Sequence, residues 1–304
     1  MNSAQFSNRI SHSRIAAAGV NLHVAQCGDG PPVLLLHGFP DHWRLWQPIM
    51  RALAKTHHTM APDLRGYNLS DKPALVEDYR IDCLVQDVRA LIASLGGRCA
   101  LVGHDWGGML AWTLAARYPA EVSRLVILNA PHPCRFAQQL RADPAQRSAS
   151  DYVRHLCAPD FELELEKNNY ARLWGVLSSS TKVPLDAAEQ KASIVAWAQP
   201  GALHAMLNWY RAMNFETAVA SDHVAAVPDL GGASGKVEAP TLVIWGEQDG
   251  SFPVACLNHL EDWVPNLSMH RELQSGHWLV REQPELVAGL IAQFLKQEGL
   301  TICN

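Results

Sequence analysis

The sequence predicts an α/β fold: a mostly parallel central sheet with helices on both faces, interrupted by a helical insertion. Three observations predict it. Short apolar runs alternate with helical patterns from residue 33 to residue 128, as expected where parallel strands are buried on both faces and joined by helices. That alternation stops over residues 131–230, where helical patterns and many tryptophans take over. The strand pattern resumes at residue 241 and closes on a helix near the end of the 304 residues. The expected division is a first core segment over residues 1–130, a helical insertion over 131–236 and a second core segment over 237–304.

The elements follow in chain order. Residues 13–18 and 21–27 flank Gly19 and read as a hairpin. Gly28-Asp29-Gly30-Pro31-Pro32 is a turn cluster, and Val33-Leu34-Leu35-Leu36 is the first doubly buried strand. Residues 43–54 read as a helix and 57–61 as a short strand. Over residues 79–95, Ile81, Leu84, Val85, Val88, Leu91, Ile92 and Leu95 recur at helical spacing. Residues 99–102 give the next strand, 106–118 a helix stopped by Pro119, and 123–128 another strand. In the insertion the strongest helical patterns cover 160–177, 186–198 and 203–213. Gly231-Gly232-Ala233-Ser234-Gly235 reads as a flexible linker, 241–245 and 267–273 as strands, and 282–296 as the closing helix.

Composition excludes several classes. The 25 basic and 30 acidic residues, net −5, leave no basic field for a phosphate backbone, so nucleic-acid binding has no support. A mean hydropathy of −0.07 suits a soluble globular chain, and no apolar run approaches the ~20 residues of a membrane-spanning helix. The first residues lack an apolar core of the secretory kind, so a cytoplasmic location is expected. Seven cysteines without a CxxC pair suggest neither a zinc knuckle nor a disulfide framework, and most read as small buried hydrophobes. The acidic stretch at 161–167 reads as a solvated helix face.

The chemistry centres on Val102-Gly103-His104-Asp105-Trp106-Gly107-Gly108, between a strand and a helix. The spacing is that of a nucleophile elbow, G-x-Nuc-x-G. Side chains at the flanking glycines would clash in so tight a turn. The residue at the nucleophile position is Asp105. A serine there would attack an acyl carbon, whereas a carboxylate attacks an sp³ carbon and leaves an alkyl ester. A lone Asp before a helix would be read as an N-cap; glycines on both sides after a buried strand point to function. His37-Gly38-Phe39-Pro40 follows the 33–36 strand, where an elbow-bearing fold draws one N–H of its oxyanion hole, so Phe39 and Trp106 are expected to act through main chain. Ser275-Gly276-His277-Trp278 follows the last strand and offers His277 as base. The loop after the preceding strand offers Asp249 as its orienting acid, with Glu247 as the alternative. The order Asp105, Asp249, His277 is nucleophile, acid, base.

These motifs resemble the α/β-hydrolase superfamily and, more narrowly, its soluble epoxide hydrolases. The resemblance covers residues 12–298, through HGFPDHWRLWQP, DLRGYNLSDKP, VGHDWGG, LNAPHP, NWYRAM, LVIWGEQD and SGHW. It implies that the insertion is a cap carrying two tyrosines that donate hydrogen bonds to the epoxide oxygen. Tyr210, in Asn208-Trp209-Tyr210-Arg211, matches one of them and Tyr152 the other. Where the family has Phe-Gln after the first tyrosine, this chain has Leu156-Cys157, which leaves His155 as an alternative donor. The implied substrate is a small apolar epoxide plus water, with no metal or organic cofactor and a monomer or homodimer as the working unit. Phe39, Trp106, His155 and Trp112 point to an apolar pocket.

A haloalkane dehalogenase is the nearest rival, with the same Asp nucleophile, Trp106 as halide donor and Trp174, Trp197 or Trp209 as a second. A halide needs no proton, so that reading leaves the two tyrosines unexplained. A fluoroacetate-type dehalogenase would have Arg after the nucleophile, where Trp106 stands. A non-catalytic relative would have lost part of the triad, and Gly-x-Ser-x-Gly does not occur, which excludes a serine esterase.

Overall fold

The computed structural model describes residues 9–213 and 235–296. One sheet runs in the order β1-β2-β4-β3-β5-β6-β7-β8. Strands β1 (Ser11–Ala17) and β2 (Val20–Cys27) form an antiparallel hairpin at one edge. The strands β3 (Pro32–Leu36), β4 (His58–Pro62), β5 (Cys99–His104), β6 (Val122–Leu128), β7 (Thr241–Gly246) and β8 (Leu267–Glu272) pair in parallel. The apolar runs read as doubly buried strands are so: every residue of β5 and β7 is buried, while edge strands β1 and β8 are largely exposed.

The helices in chain order are α1 (Gln47–Leu53), α2 (Ile81–Ser94) and α3 (Trp106–Arg117). Between β6 and β7 lie α4 (Pro133–Ala142), α5 (Pro144–Ala149), α6 (Tyr152–Cys157), α7 (Phe161–Ser180), α8 (Ala187–Trp197) and α9 (Ala202–Ala212). After β8 come α10 (Leu279–Glu282) and α11 (Pro284–Lys296). Alternate strand residues feed two cores. Leu35, Val102, Val126 and Ile244 pack with Ile49, Leu279 and Ile291 on one face. Leu34, Leu101, Ile127 and Val243 pack with α2, α3 and the helices after β6 on the other. Each fully buried aliphatic side chain contributes about 1.5–3 kcal/mol.

Three expectations change. The helix expected over 160–177 is α7, but it breaks at Lys167–Tyr170, where Asn168, Asn169 and Tyr170 adopt φ of 51°, 56° and 61°. Asparagine tolerates this left-handed region, and hydrophobic spacing alone does not register the break. Prolines open several helices: Pro133 and Pro144 lie in the first turns of α4 and α5, and Pro284 starts α11, which matches the expected closing helix to within two residues. Of the six described cysteines only Cys27, Cys99 and Cys256 are buried; Cys83, Cys134 and Cys157 are half-buried. The linker expected at 231–235 lies outside the described residues except for Gly235.

The acidic stretch at 161–167 is not uniformly solvated. Glu162 receives both Arg211 nitrogens, at 2.7 and 3.1 Å, and the His204 ring at 2.9 Å. Burial alone would raise its carboxyl; the hydrogen bonds from Arg211, the backbone and His204 outweigh it and hold Glu162 at about 2. A depressed carboxylate stabilises the fold above its unfolded pKa and loses that contribution as pH falls through the folded value. The contribution is partly screened by solvent, so about 1 kcal/mol, or ~2–4 °C in Tm, is expected. Calorimetry should show wild type melting above Glu162→Gln at pH 7, with the gap closing as pH falls from 4.5 toward 2. A pH-independent gap would contradict this account.

The helices between β6 and β7 are tied to the strand-end loops. The Trp197 indole N–H donates to the Pro40 carbonyl at 2.7 Å, and that of Trp209 to the Arg65 carbonyl at 2.9 Å. Buried Arg281, on α10, pairs with Asp41 after β3 and with Glu189 on α8. No helix among the described residues is long and apolar enough to cross a membrane.

Candidate active site

Asp105 sits at φ 52°, ψ −123°, outside the regions an L-residue ordinarily occupies. A Cβ on Gly103 would strike the Gly107 backbone, and one on Gly107 would strike the carbonyls of Leu36 and His37. Glycine at both positions lets α3 start against the end of β3. A Cβ on Gly38 would land on the Asp105 carboxylate, so glycine there also lets the β3 loop close on it. The Phe39 N–H then donates to Asp105 Oδ1 at 2.8 Å, and the Trp106 N–H also hydrogen-bonds this carboxylate. His37 shapes the loop: its Nδ1–H donates to the Gly38 carbonyl at 2.9 Å and its Nε2 accepts the Leu64 N–H at 3.1 Å.

His277 Nδ1–H donates to Asp249 Oδ2 at 2.8 Å, while Nε2 lies 3.7 Å from Asp105 Oδ2. Asp249 is saturated. Its Oδ1 accepts the N–H groups of Ser251 and Phe252 at 2.7 and 3.0 Å, and its Oδ2 also accepts Asn129 Nδ2 at 2.8 Å. Glu247, the alternative acid, pairs instead with Arg271 at 2.6 Å. His104 Nε2–H holds the His277 carbonyl at 2.8 Å.

Burial raises the Asp105 carboxyl; His277 and the two N–H groups oppose that without cancelling it. Burial alone would lower His277, but the Asp249 and Asp105 carboxylates outweigh it and raise the imidazole to about 9.

Tyr210, on α9, is buried, with its ring edge-to-face on Phe39 at 5.4 Å and on Trp106 at 5.1 Å. Tyr152 opens α6. The residue is 38% exposed, yet its hydroxyl meets the side chains of Ser251 and Tyr210. Desolvation and the nearby Asp105 charge push both phenols upward, with Tyr152 adding its own charge at Tyr210 and Asp249 at Tyr152, so both are neutral donors. Asp105, Tyr152 and Tyr210 line two cavities at once. The smaller is about 30 Å³ and mostly apolar, bounded by Trp106, Met109, Phe136, Val153 and Phe252. The larger is about 520 Å³ and includes Phe39, His155 and His277 in its wall.

The structure therefore brings Asp105, His277, Asp249, Tyr152, Tyr210, Phe39 and Trp106 together. His155 lines the larger cavity, and the hydroxyl facing Tyr210 belongs to Tyr152. Trp112 is not a pocket residue: it is 1% exposed in the core and donates to the Ala130 carbonyl at 3.1 Å. Sequence reading missed Asn129. At φ 41° it ends β6, exchanges hydrogen bonds with the Gly246 N–H and carbonyl at 3.0 and 3.2 Å, and reaches Asp249. An asparagine directly after a buried strand, where a positive φ is needed, was its only local signal. Trp197 and Trp209 have their indole N–H groups committed to carbonyls and are not available to a halide. The Trp106 indole hydrogen-bonds the Tyr210 hydroxyl. Among the described residues, no group of three or more His, Cys, Asp or Glu could hold a metal ion.

The comparisons with known proteins agree with this geometry. The model of the alpha/beta hydrolase fold family matches residues 31–284. Mouse epoxide hydrolase 4 is 36% identical over 296 residues, covering 94% of this chain and 79% of that protein. The AB hydrolase superfamily protein YfhM of Bacillus subtilis is 36% identical over 286 residues, covering 92% and 96%. The structure of Bacillus megaterium epoxide hydrolase in complex with an inhibitor superposes with a TM-score of 0.84 at 35% identity, covering 94% of this chain and 100% of that one. The chain belongs to the α/β-hydrolase fold family and, within it, to the epoxide hydrolases.

Proposed function

We propose that the protein hydrolyses epoxides to vicinal diols through an ester on Asp105. The observation that carries this reading is the pair of neutral phenols, Tyr152 and Tyr210, facing a buried carboxylate that has a His–Asp pair behind it. An epoxide's leaving group is an alkoxide, which needs a proton near neutral pH. In support, mouse epoxide hydrolase 4 matches 94% of this chain, and an epoxide hydrolase from Bacillus megaterium, covered over its whole length, was solved as a mutant with (R)-3-[1]naphthyloxy-propane-1,2-diol as its product.

In this reading helices α4–α9 are a cap over the strand ends. Phe39 N–H holds Asp105 Oδ1, and Oδ2, 3.7 Å from His277 Nε2, attacks a ring carbon. The C–O bond of the ring breaks as one phenol gives its proton to the ring oxygen. The product is an alkyl ester, an alcohol and a phenolate. Esterification removes the Asp105 charge, one of the three carboxylate charges that raise His277, so its pKa falls and it releases to solvent the proton it holds near neutral pH, to regain it when Asp105 ionises again. His277 can then take a proton from water, whose oxygen attacks the ester carbonyl. The Phe39 and Trp106 N–H groups hold the resulting oxyanion. Collapse expels the diol oxygen, which takes the proton from His277, and the proton released by the regenerated Asp105 acid returns to the phenolate.

The oxygen joined to the attacked carbon thus comes from Asp105. A single turnover of styrene oxide in H₂¹⁸O is expected to release unlabelled diol, with label entering the diol in later turnovers. Label in the first-turnover diol would contradict the ester route.

A further inference from the structure

We propose that Glu282 is a positioning residue for ester hydrolysis. Its buried carboxylate fastens the connection between α7 and α8, residues 181–186, to the turn that carries His277, and the base reaches the ester while that connection is docked. The step it serves rests on the function proposed above; the fastening itself does not.

His277 lies in neither a helix nor a strand but in the turn over 273–278, between β8 and α10. Asp249 aims its imidazole, so the place of the turn depends on tethers to its main chain. The His104 ring holds the His277 carbonyl, and the Gln248 N–H donates to the Ser275 carbonyl at 2.9 Å. The third tether is Glu282, at the end of α10, whose Oε2 accepts the Gly276 N–H at 3.0 Å. Its Oε1 accepts the Lys182 N–H at 3.3 Å. Glu282 is buried and has no ion pair among the described residues. Two main-chain N–H groups, one on each segment, therefore satisfy its charge, and a buried carboxylate holds such donors firmly.

The Lys182 side chain grips the same turn on the other side of His277. Its Nζ donates to the Gln274 carbonyl at 2.5 Å and to Gln248 Oε1. Next to Glu282, Arg281 pairs with Glu189 on α8. Lys182, Gly276 and His277 all line the larger cavity, so the fastening is part of the wall beside the base. The phenols are held by other ties: Tyr210 follows Trp209, whose indole is bonded to the Arg65 carbonyl, and the Tyr152 hydroxyl meets Ser251. Loosening Glu282 thus shifts the base relative to the ester and leaves the ring-opening groups in place. A base displaced by ~1 Å loses up to about 10²-fold in rate.

Intact mass after rapid quenching, with styrene oxide as substrate, separates ester formation from ester hydrolysis. Glu282→Gln keeps one acceptor oxygen and is expected to slow hydrolysis about tenfold, with formation within about twofold of wild type. As hydrolysis becomes limiting, kcat and KM should fall together. Glu282→Ala strands both N–H groups and should slow hydrolysis further. Lys182→Met keeps its main-chain N–H, loses the Nζ bonds and should slow the same step by a smaller factor. Hydrogen exchange without any epoxide tests the fastening alone. In Glu282→Gln and in Lys182→Met, residues 181–186 and 274–277 should both exchange about tenfold faster, while α9 keeps its wild-type rates. Equal slowing of both steps, hydrolysis at the wild-type rate in Glu282→Gln, or faster exchange confined to one of the two segments would overturn the proposal. Failure of the function reading shows separately, as absence of any ester in His277→Gln while the two segments still loosen together.

Discussion

Asp105→Asn is expected to lower diol formation by at least about 10⁴-fold while leaving a protein that melts no lower than wild type. The loss follows because an amide oxygen is a poor nucleophile, and among the described residues no other carboxylate lines the cavities that meet at Asp105. The stability half follows from linkage. Burial gives Asp105 a pKa above its unfolded value, even with His277 and two N–H groups in support. In the window between the two values the folded state binds more protons, so its stability falls as pH rises through that window. At neutral pH the ionised carboxylate is a cost to the fold, and Asn, which keeps the shape and tolerates positive φ, removes that cost. Steady-state rates and thermal melts at pH 7 check both halves. A large drop in Tm would mean that Asp105 serves the fold rather than the reaction.

The second large effect is at the phenols. Tyr210→Phe is expected to slow epoxide opening by about 10²–10³-fold, the usual loss for one preorganised donor at a developing oxyanion. Hydrolysis of the ester, once formed, should proceed at its normal rate, because Tyr210 is not among the groups that hold His277 or the Asp105 Oδ1 oxygen. Tyr152→Phe should act on the same step, since both hydroxyls meet one another beside Asp105. Both phenols are pushed above 10, so no phenol-linked fall in rate is expected as pH rises through their ordinary range. Pre-steady-state kinetics separates the steps. Equal slowing of both, or full activity in either variant, would contradict the donor role.

The parts of the site legible in the sequence are those in which one local geometry demands one residue type. Gly103 and Gly107 flank Asp105 because any side chain there meets backbone, and that demand shows as a spacing. Val33–Leu36 and Thr241–Trp245 are strands because both faces are covered, which shows as an apolar run. What was hidden depends on partners far away in the chain. Asn129 bonds residues 117 and 120 positions later, and no local pattern encodes that. Trp197 and Trp209 looked like cavity residues because an aromatic bound to a distant carbonyl is indistinguishable, in sequence, from one facing a ligand. The break in α7 was masked because its apolar residues keep helical spacing while the backbone turns left-handed at Asn168–Tyr170. Glu162 was misread as a solvated helix face because its partner Arg211 lies 49 residues on.

The most direct test of the central claim is the intact mass of the His277→Gln protein after exposure to styrene oxide together with 1-bromobutane. Without His277 the water has no base, so the ester should accumulate. The account predicts a gain equal to the whole epoxide, absent when Asp105→Asn is added to the same chain. A gain equal to a butyl group alone, or an epoxide adduct that persists without Asp105, would contradict it.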